Sequence, residues 1–364
     1  MKKILVLFIV SFSFIACEKV IETNCENSPF SILENTEFEK NQKPETYKNA
    51  FFILNEGGYT YGNASISAYF STLQTVENNV FKNNNNYSLG DVAQSIIKKD
   101  DFIYITINNS QKIEVVKTNT FERLRTITGF SSPRYLQFVE NEKVLVTDLY
   151  ENKINVLDLE TGCEFGSIKT QGWTEEIEKI NGKFYAIERN TIGVQSKFAN
   201  LIEIDAENLS ITKRTKIPAE PNSLIVDIDD NIWVLSSGVE AENIMPALIK
   251  FNTNSESIEK TFTFSNYTNI AQNLAYHSST NRLFFSKANS IFEMSISASN
   301  LPTQAFFTSN AQIIYGIDIN PSTQEFYICD AIDYVSPGKV FRYSPGGNLI
   351  AEFEVGVLPS KVIF

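Results

Sequence analysis

From about residue 90 to the end, short apolar runs rich in β-branched and aromatic residues alternate with turns of Asn, Asp, Gly and Lys. Runs of this length bounded by such turns predict strands. The runs group in fours. One group reads DVAQSIIKKDD, FIYITINNS, KIEVVKTNT, LRTITGF, and the next reads SPRYLQFVENE, KVLVTDLYEN, KINVLDLETG, CEFGSIKTQ. In each group the second run opens on bulky apolar residues: FIY at 102–104, VLV at 144–146, FYA at 184–186, IWV at 232–234, LFF at 283–285 and FYI at 326–328. The third run alternates, as in KINVLD and NLIEID, which suits a sheet partly buried against a neighbour.

Six such groups follow one another at a spacing of roughly 40 to 50 residues, the range of propeller blades. A seventh is split. The last seven residues, LPSKVIF, supply a first run whose partners lie at the other end of the repeat array, in AFFILNEGGYTYGNASISAYFSTLQTVENNVF. Sharing one repeat between the two ends closes a ring. The expected fold is all-β, a seven-bladed β-propeller of four-stranded blades, closed by pairing of the C-terminal strand with the N-terminal blade. No stretch shows sustained helical periodicity, and WD dipeptides are absent.

The array occupies residues 47–364, as one domain. Residues 1–17, MKKILVLFIVSFSFIAC, place Lys2 and Lys3 before an apolar stretch from Ile4 to Ile15, the form of a secretory leader. Ala16 directly before Cys17 is similar to a lipobox, so Cys17 is the expected lipidated residue. Residues 18–46 are polar, contain Pro29 and Pro44, and are expected to act as a tether. No apolar run of about 18 residues is present that would cross a bilayer as a helix.

Charge narrows the choice of partner. With 31 Lys and Arg against 43 Asp and Glu, the formal charge of −12 disfavours sequence-independent binding to phosphate backbones, and no nucleic acid is expected. Cys25, Cys163 and Cys329 are scattered and odd in number, which implies no disulfide framework. Cys163 and Cys329 lie in strand-like runs and read as small buried apolar residues. They also lack metal-ligand spacing, and a single histidine, His277, leaves no His-based metal site.

In a propeller, loops joining second to third strands, and fourth strands to the next first strand, emerge on one face around the channel. Here those loops are the long and varied ones, so binding is expected there. They carry Asn55, Glu56, Tyr59, Tyr61 and Asn63; Asn108 and Asn109; Arg134 and Tyr135; Asp148 and Tyr150; Trp173; Arg189; Asn222; Gln272 and Asn273; Tyr315; and Asp330, Asp333 and Tyr334. Aromatic surfaces beside amides and a few charges suit a large, partly flat, amide-rich ligand. The ligand-binding set is expected to be Asn55, Glu56, Tyr59, Tyr61, Asn109, Arg134, Tyr150, Trp173, Arg189, Tyr315, Asp333 and Tyr334.

Catalysis finds no positive support. There is no GxSxG or Walker segment. His277, in AYHSST, falls at a turn on the opposite face. DIDDN, from Asp227 to Asn231, starts like a calcium loop, yet lacks Gly at its sixth position and has Gly238 where the closing Glu belongs, so it reads as a turn. First-strand starts carry a mixed set, Asp91, Arg134, Glu175, Asn222, Asn273, Gly316 and Ser360, rather than a ring of metal ligands. The chain is not expected to be an enzyme or to hold a cofactor or metal.

The segments FFILNEGGYTYGNASISAYF, SLGDVAQSI, YITINNSQKIEVV, FSSPRYLQF, VTDLYENKINVLDLETG and CDAIDYVSPGKVFRYSPGGNLIAEFEVGVLPSKVIF carry a resemblance over about residues 50–364. The chain resembles the YncE-like propeller lipoproteins of Bacteroidota, and within them the BtuG-type proteins that capture cobalamin. The resemblance implies a lipid-anchored outer-membrane protein that takes up a corrinoid and passes it to a TonB-dependent transporter, cobalamin being cargo. The alternative is a surface or periplasmic propeller binding another ligand or protein without catalysis. EKVIETNCEN, after Cys17, lacks the acidic run that often directs surface export, which leaves open the side of the membrane.

Overall fold

The computed structural model describes residues 18–21, 28–37, 44–140, 142–190 and 198–364. Seven antiparallel sheets stand around one axis, almost without helix, and make a seven-bladed β-propeller. Blade 1 is the shared one: Pro359–Ile363 is its innermost strand, followed outward by Phe51–Asn55, Ser65–Phe70 and Thr75–Glu77. Blades 2 to 7 then follow in chain order, their inner strands being Ala93–Lys99, Pro133–Glu140, Thr174–Ile180, Pro221–Val226, Gln272–His277 and Ile314–Ile319.

The second strand of each blade explains why the ring holds. Successive side chains on a strand point to opposite faces, and here both faces meet a neighbouring blade, so the strand is apolar throughout. In Asn231–Ser236, Ile232 and Val234 pack on blade 4 beside Tyr185 and Ile187, whereas Trp233 and Leu235 pack on blade 6 beside Leu283 and Phe285. Trp233 is fully buried, and its indole Nε1 donates to Asp227 Oδ2 at 2.7 Å. Burying one such side chain contributes about 2–3 kcal/mol. Outer strands instead alternate exposed and half-buried positions, as in Ser257–Thr263.

Closure is antiparallel, with Phe52 opposite Ile363, Ile53 opposite Val362 and Leu54 opposite Lys361. Ile53 and Val362 are buried against Tyr327, Cys329 and Val340 of blade 7. The Val362 backbone amide also donates to Asp318 Oδ2 at 2.6 Å, tying the C-terminal strand to the preceding blade.

Three expectations are corrected. Part of the expected tether, residues 18–46, belongs to the propeller: Ser31–Asn35 pairs with the outer strand of blade 2, Arg123–Thr128, and Glu18–Ile21 pairs in turn with Ser31–Asn35. Its cause is apolar, since Phe30 and Ile32 are buried between blades 2 and 3 beside Ile127 and Phe130. Second, VFKNNN at Val80–Asn85 is a short helix between blades 1 and 2, with Val80 and Phe81 buried beneath it. Third, Cys163 is disulfide-bonded rather than a buried free thiol. Its bonding partner lies outside the described residues. The N-terminal segment runs past this turn, where Ser28 Oγ donates to the Gly162 carbonyl at 2.6 Å, a long-range contact that Cys spacing does not encode. Cys329 is free and buried. Residues 1–17, with Cys17 and the leader, lie outside the described residues.

Candidate site at the mouth of the axial channel

Every inner strand carries a register shift near its start. The shifts fall between Ala93 and Ser95, Pro133 and Leu136, Thr174 and Ile177, Pro221 and Ser223, Gln272 and Ala275, and Ile314 and Gly316. In blade 1 the shift falls where Leu54 and Asn55 face Lys361 and Pro359. A bulge leaves an extra residue unpaired and turns its side chain out of the sheet. Gln94, Tyr135, Glu176, Asn222, Asn273, Tyr315 and Ser360, which fall within these shifts, all line the axial cavity of about 540 Å³.

The first-strand starts read from sequence agree with this ring at Asn222, Asn273 and Ser360. Gly316 lines it as well, beside Tyr315, whereas the bulge places Gln94, Tyr135 and Glu176 in it where the strand starts had pointed to Asp91, Arg134 and Glu175. Sequence reasoning also missed Glu176, Glu178 and Lys361, which line the channel. The available signal was TEEIEK at 174–179, three carboxylates on an inner strand.

At the mouth, several expected residues form one network. The Tyr315 hydroxyl donates to Glu56 Oε2 at 2.6 Å, and the Tyr315 and Tyr334 rings meet edge to face with centroids 6.0 Å apart. Arg134 grips Glu175 with two bonds, Nε to Oε2 at 2.8 Å and Nη2 to Oε1 at 2.9 Å, and also donates to Gln94 Oε1. Arg189 lies over the Trp173 ring at 4.6 Å, reaches Glu175 at 3.9 Å and pairs with Glu220. Arg134 covers the same indole at 5.9 Å. A guanidinium over an indole face is held by the ring quadrupole.

Burial sets the electrostatics. It pushes the Glu56 carboxyl upward, against the pull of Tyr315 and Arg134. Burial and then the adjacent Glu175 push Glu176 up to about 7. Glu178 is raised by burial too, with Lys361 opposing. Lys361 is held protonated by Asp318, whose Oδ1 lies 2.5 Å from Nζ; the ammonium is surrounded by protein yet still meets channel water.

Other expected residues sit around this network. Tyr59, Tyr61, Tyr150 and Tyr334 are 63%, 74%, 58% and 50% exposed, all on second-to-third-strand loops of the same face. Asn109 Nδ2 donates to Asp91 Oδ2 at 2.5 Å, and the Thr60 amide donates to the same oxygen at 2.9 Å, so Asn109 steadies the loop that carries Tyr59 and Tyr61. Asp333 accepts the Val335 and Ser336 amides at 2.9 and 2.6 Å, which pull its carboxyl below the usual range and fix the turn in which Tyr334 has φ of 66°. Asn55 is not brought to the surface: it is fully buried, donating to Ser65 and Ser67 Oγ at 3.2 and 2.9 Å. Asp148 and Asp330 likewise collect backbone amides, Ser132, Tyr150 and Glu151 for the first, Gln312, Ile313 and Ile332 for the second.

On the opposite face Asp227 accepts the Asp229 and Asn231 amides, so DIDDN is a turn. His277 is buried at the strand end, with Nδ1 2.8 Å from Thr280 Oγ1. Among the described residues no three His, Cys, Asp or Glu side chains converge on one metal position.

A family described as "Domain of unknown function (DUF5074)" matches residues 49–339, which span all seven blades. The chain belongs to that family. No protein of curated function matches the sequence. Among solved structures, this DUF5074 chain is similar to a quinonprotein alcohol dehydrogenase-like protein from Bacteroides thetaiotaomicron, with TM-score 0.67 and 14% identity, over 93% of this chain and 85% of that one. It is also similar to hydrazine synthase of Kuenenia stuttgartiensis, with TM-score 0.61 and 12% identity over 79% and 91% of the two chains. Virginiamycin B lyase from Staphylococcus aureus follows the same fold at TM-score 0.51 and 14% identity, over 72% and 83%. At these identities the likeness is one of fold, and several of the DUF5074 chain's neighbours being enzymes assigns it no reaction.

Proposed function

We propose that the channel mouth captures a bulky, amide-rich small molecule of the corrinoid class, and that the propeller hands it without chemical change to a TonB-dependent transporter. The observation that carries this reading is the crescent of exposed tyrosines, Tyr59, Tyr61, Tyr150 and Tyr334, on the face where Trp173, Arg189, Glu56 and Tyr315 meet. A flat ring system covers aromatic faces that water leaves unsatisfied, and peripheral amides find donors and acceptors in the polar side chains of the mouth. The 540 Å³ channel is too narrow for the body of such a ligand and would admit one of its arms.

The proposal includes export and anchoring through lipidated Cys17. The disulfide at Cys163 supports it, because such bonds persist in oxidising compartments and are rare where thiols are kept reduced. Calorimetric titration of the protein with cyanocobalamin tests the ligand. Saturable binding at micromolar concentration is expected, and its absence removes the corrinoid from consideration.

A further inference from the structure

We infer that the axial channel below the mouth is a binding site for a linear organic polycation, a diamine or polyamine. The site shares Glu56 and Tyr315 with the mouth, but spermidine and cyanocobalamin are titrated separately, so either reading can fail without the other.

The channel holds carboxylates whose nearby cations are already engaged. Arg134 is committed to Glu175 and Gln94, Arg189 to Glu175 and Glu220, and Lys361 to Asp318. That leaves Glu56, Glu176 and Glu178 facing the cavity. Glu176 is partly buried in the channel wall, and among the described residues its carboxyl has no hydrogen-bond partner but its own backbone amide, with Arg134 and Arg189 acting on it only as nearby charges. Glu178 has only a 3.5 Å approach from Gln137 Nε2, and Glu56 only the Tyr315 hydroxyl. Partly buried carboxylates that outnumber the cations beside them are unfavourable, which raises their proton affinity; a bound cation offsets that penalty.

Spacing decides the kind of cation. No three of these groups converge on a single point among the described residues, so one metal ion does not satisfy them. Glu176 and Glu178 are two residues apart on one strand, about 7 Å along it, close to the separation of the two nitrogens in a four-carbon diamine. Ile177 lies between the two on the strand, and Leu224, Leu274 and Ile317 of the other inner strands also line the cavity, so methylene segments find apolar contacts among its polar groups. Tyr135 and Tyr315 also line the cavity, and an aromatic ring attracts an ammonium group.

The test is calorimetric titration of the protein with spermidine at pH 8, against magnesium chloride at matched ionic strength. Saturable binding of one spermidine is expected, weakened about tenfold or more in Glu176→Gln and in Glu178→Gln, with no saturable heat from magnesium. Glu176→Asp, which keeps the charge, retains binding and separates loss of charge from loss of fold. The inference is overturned by absence of saturable heat up to millimolar spermidine, by unchanged affinity in both Gln variants, or by magnesium binding as well as spermidine, which would mean ionic screening only.

Discussion

The hydroxyl of Tyr315 and the carboxylate of Glu56 meet at 2.6 Å although they stand 259 residues apart in the chain. Tyr315 is the bulge residue of blade 7, and Glu56 sits on the first loop of blade 1, so their bond spans the seam at which the ring closes. The Glu56 amide and the Leu358 carbonyl, 2.8 Å apart, cross the same seam.

Tyr315→Phe keeps the ring and its packing on Tyr334 but leaves Glu56 without its side-chain donor among the described residues. Loss of a hydrogen bond to a buried charged acceptor costs about 1.5–3 kcal/mol. A matching fall in urea unfolding stability at pH 8 is expected, and a smaller loss as the pH is lowered, because burial raises this carboxyl and it takes up a proton more readily than a free one. An equal loss at every pH would show that the bond is not the cause.

Trp173 is tied into the charged network of the mouth, with Arg189 and Arg134 at 4.6 and 5.9 Å from its ring centroid. If the indole anchors the proposed corrinoid, Trp173→Ala weakens cyanocobalamin binding by about 1–3 kcal/mol, read by calorimetry. Tyr334→Ala tests the opposite side of the crescent in the same way. Unchanged affinity in both variants would move the ligand elsewhere on the protein.

Glu176 gives the stability a pH dependence whose sign follows from its raised pKa. Its ordinary value of 4.5 becomes about 7 in the folded protein, so between these limits the folded state binds the proton that the unfolded state has lost. Stability from this group is therefore full below about pH 4.5 and falls as pH rises through 7. The slope is at most about 1.4 kcal/mol per pH unit, reduced by channel water, and Glu56 and Glu178 act in the same direction. Melting between pH 5 and pH 8 should show a decline that Glu176→Gln makes shallower. A parallel profile in the variant would place the titrating group elsewhere.

The ring and its closure were legible because each second strand must be apolar on both faces, and LPSKVIF has no partner unless it meets FFILN. The mouth was legible in part. Trp173, Arg134 and Tyr334 stand out by residue type, but which residue doubles at a bulge is decided by sheet geometry, and that hid Gln94 and Glu176. Asn55 misled because a polar residue at a strand end reads the same whether it faces solvent or donates to Ser65 and Ser67. Ser31–Asn35 escaped because its alternation is short and its partner strand lies about ninety residues away, with Ser31 opposite Thr128.

Gly316 tests closure from the other side of the seam. A Cβ at this position would stand 2.1 Å from the Ser360 carbonyl oxygen, a backbone atom that cannot step aside without moving the C-terminal strand. That strand is fixed by its ladder to Phe51–Asn55 and by the bond from the Val362 amide to Asp318. Gly316→Ala is thus expected to cost at least the 1–3 kcal/mol typical of overpacking, about that range or above. Gly129→Ala is the comparison: its Cβ would meet the Pro29 carbonyl oxygen at 2.3 Å, just before the strand added outside the ring. Its expected effect is earlier proteolysis of the N-terminal segment, with the propeller's melting temperature lowered less than by Gly316→Ala. If Gly129→Ala lowered that temperature as much as Gly316→Ala, the N-terminal strand would be part of what holds the ring closed.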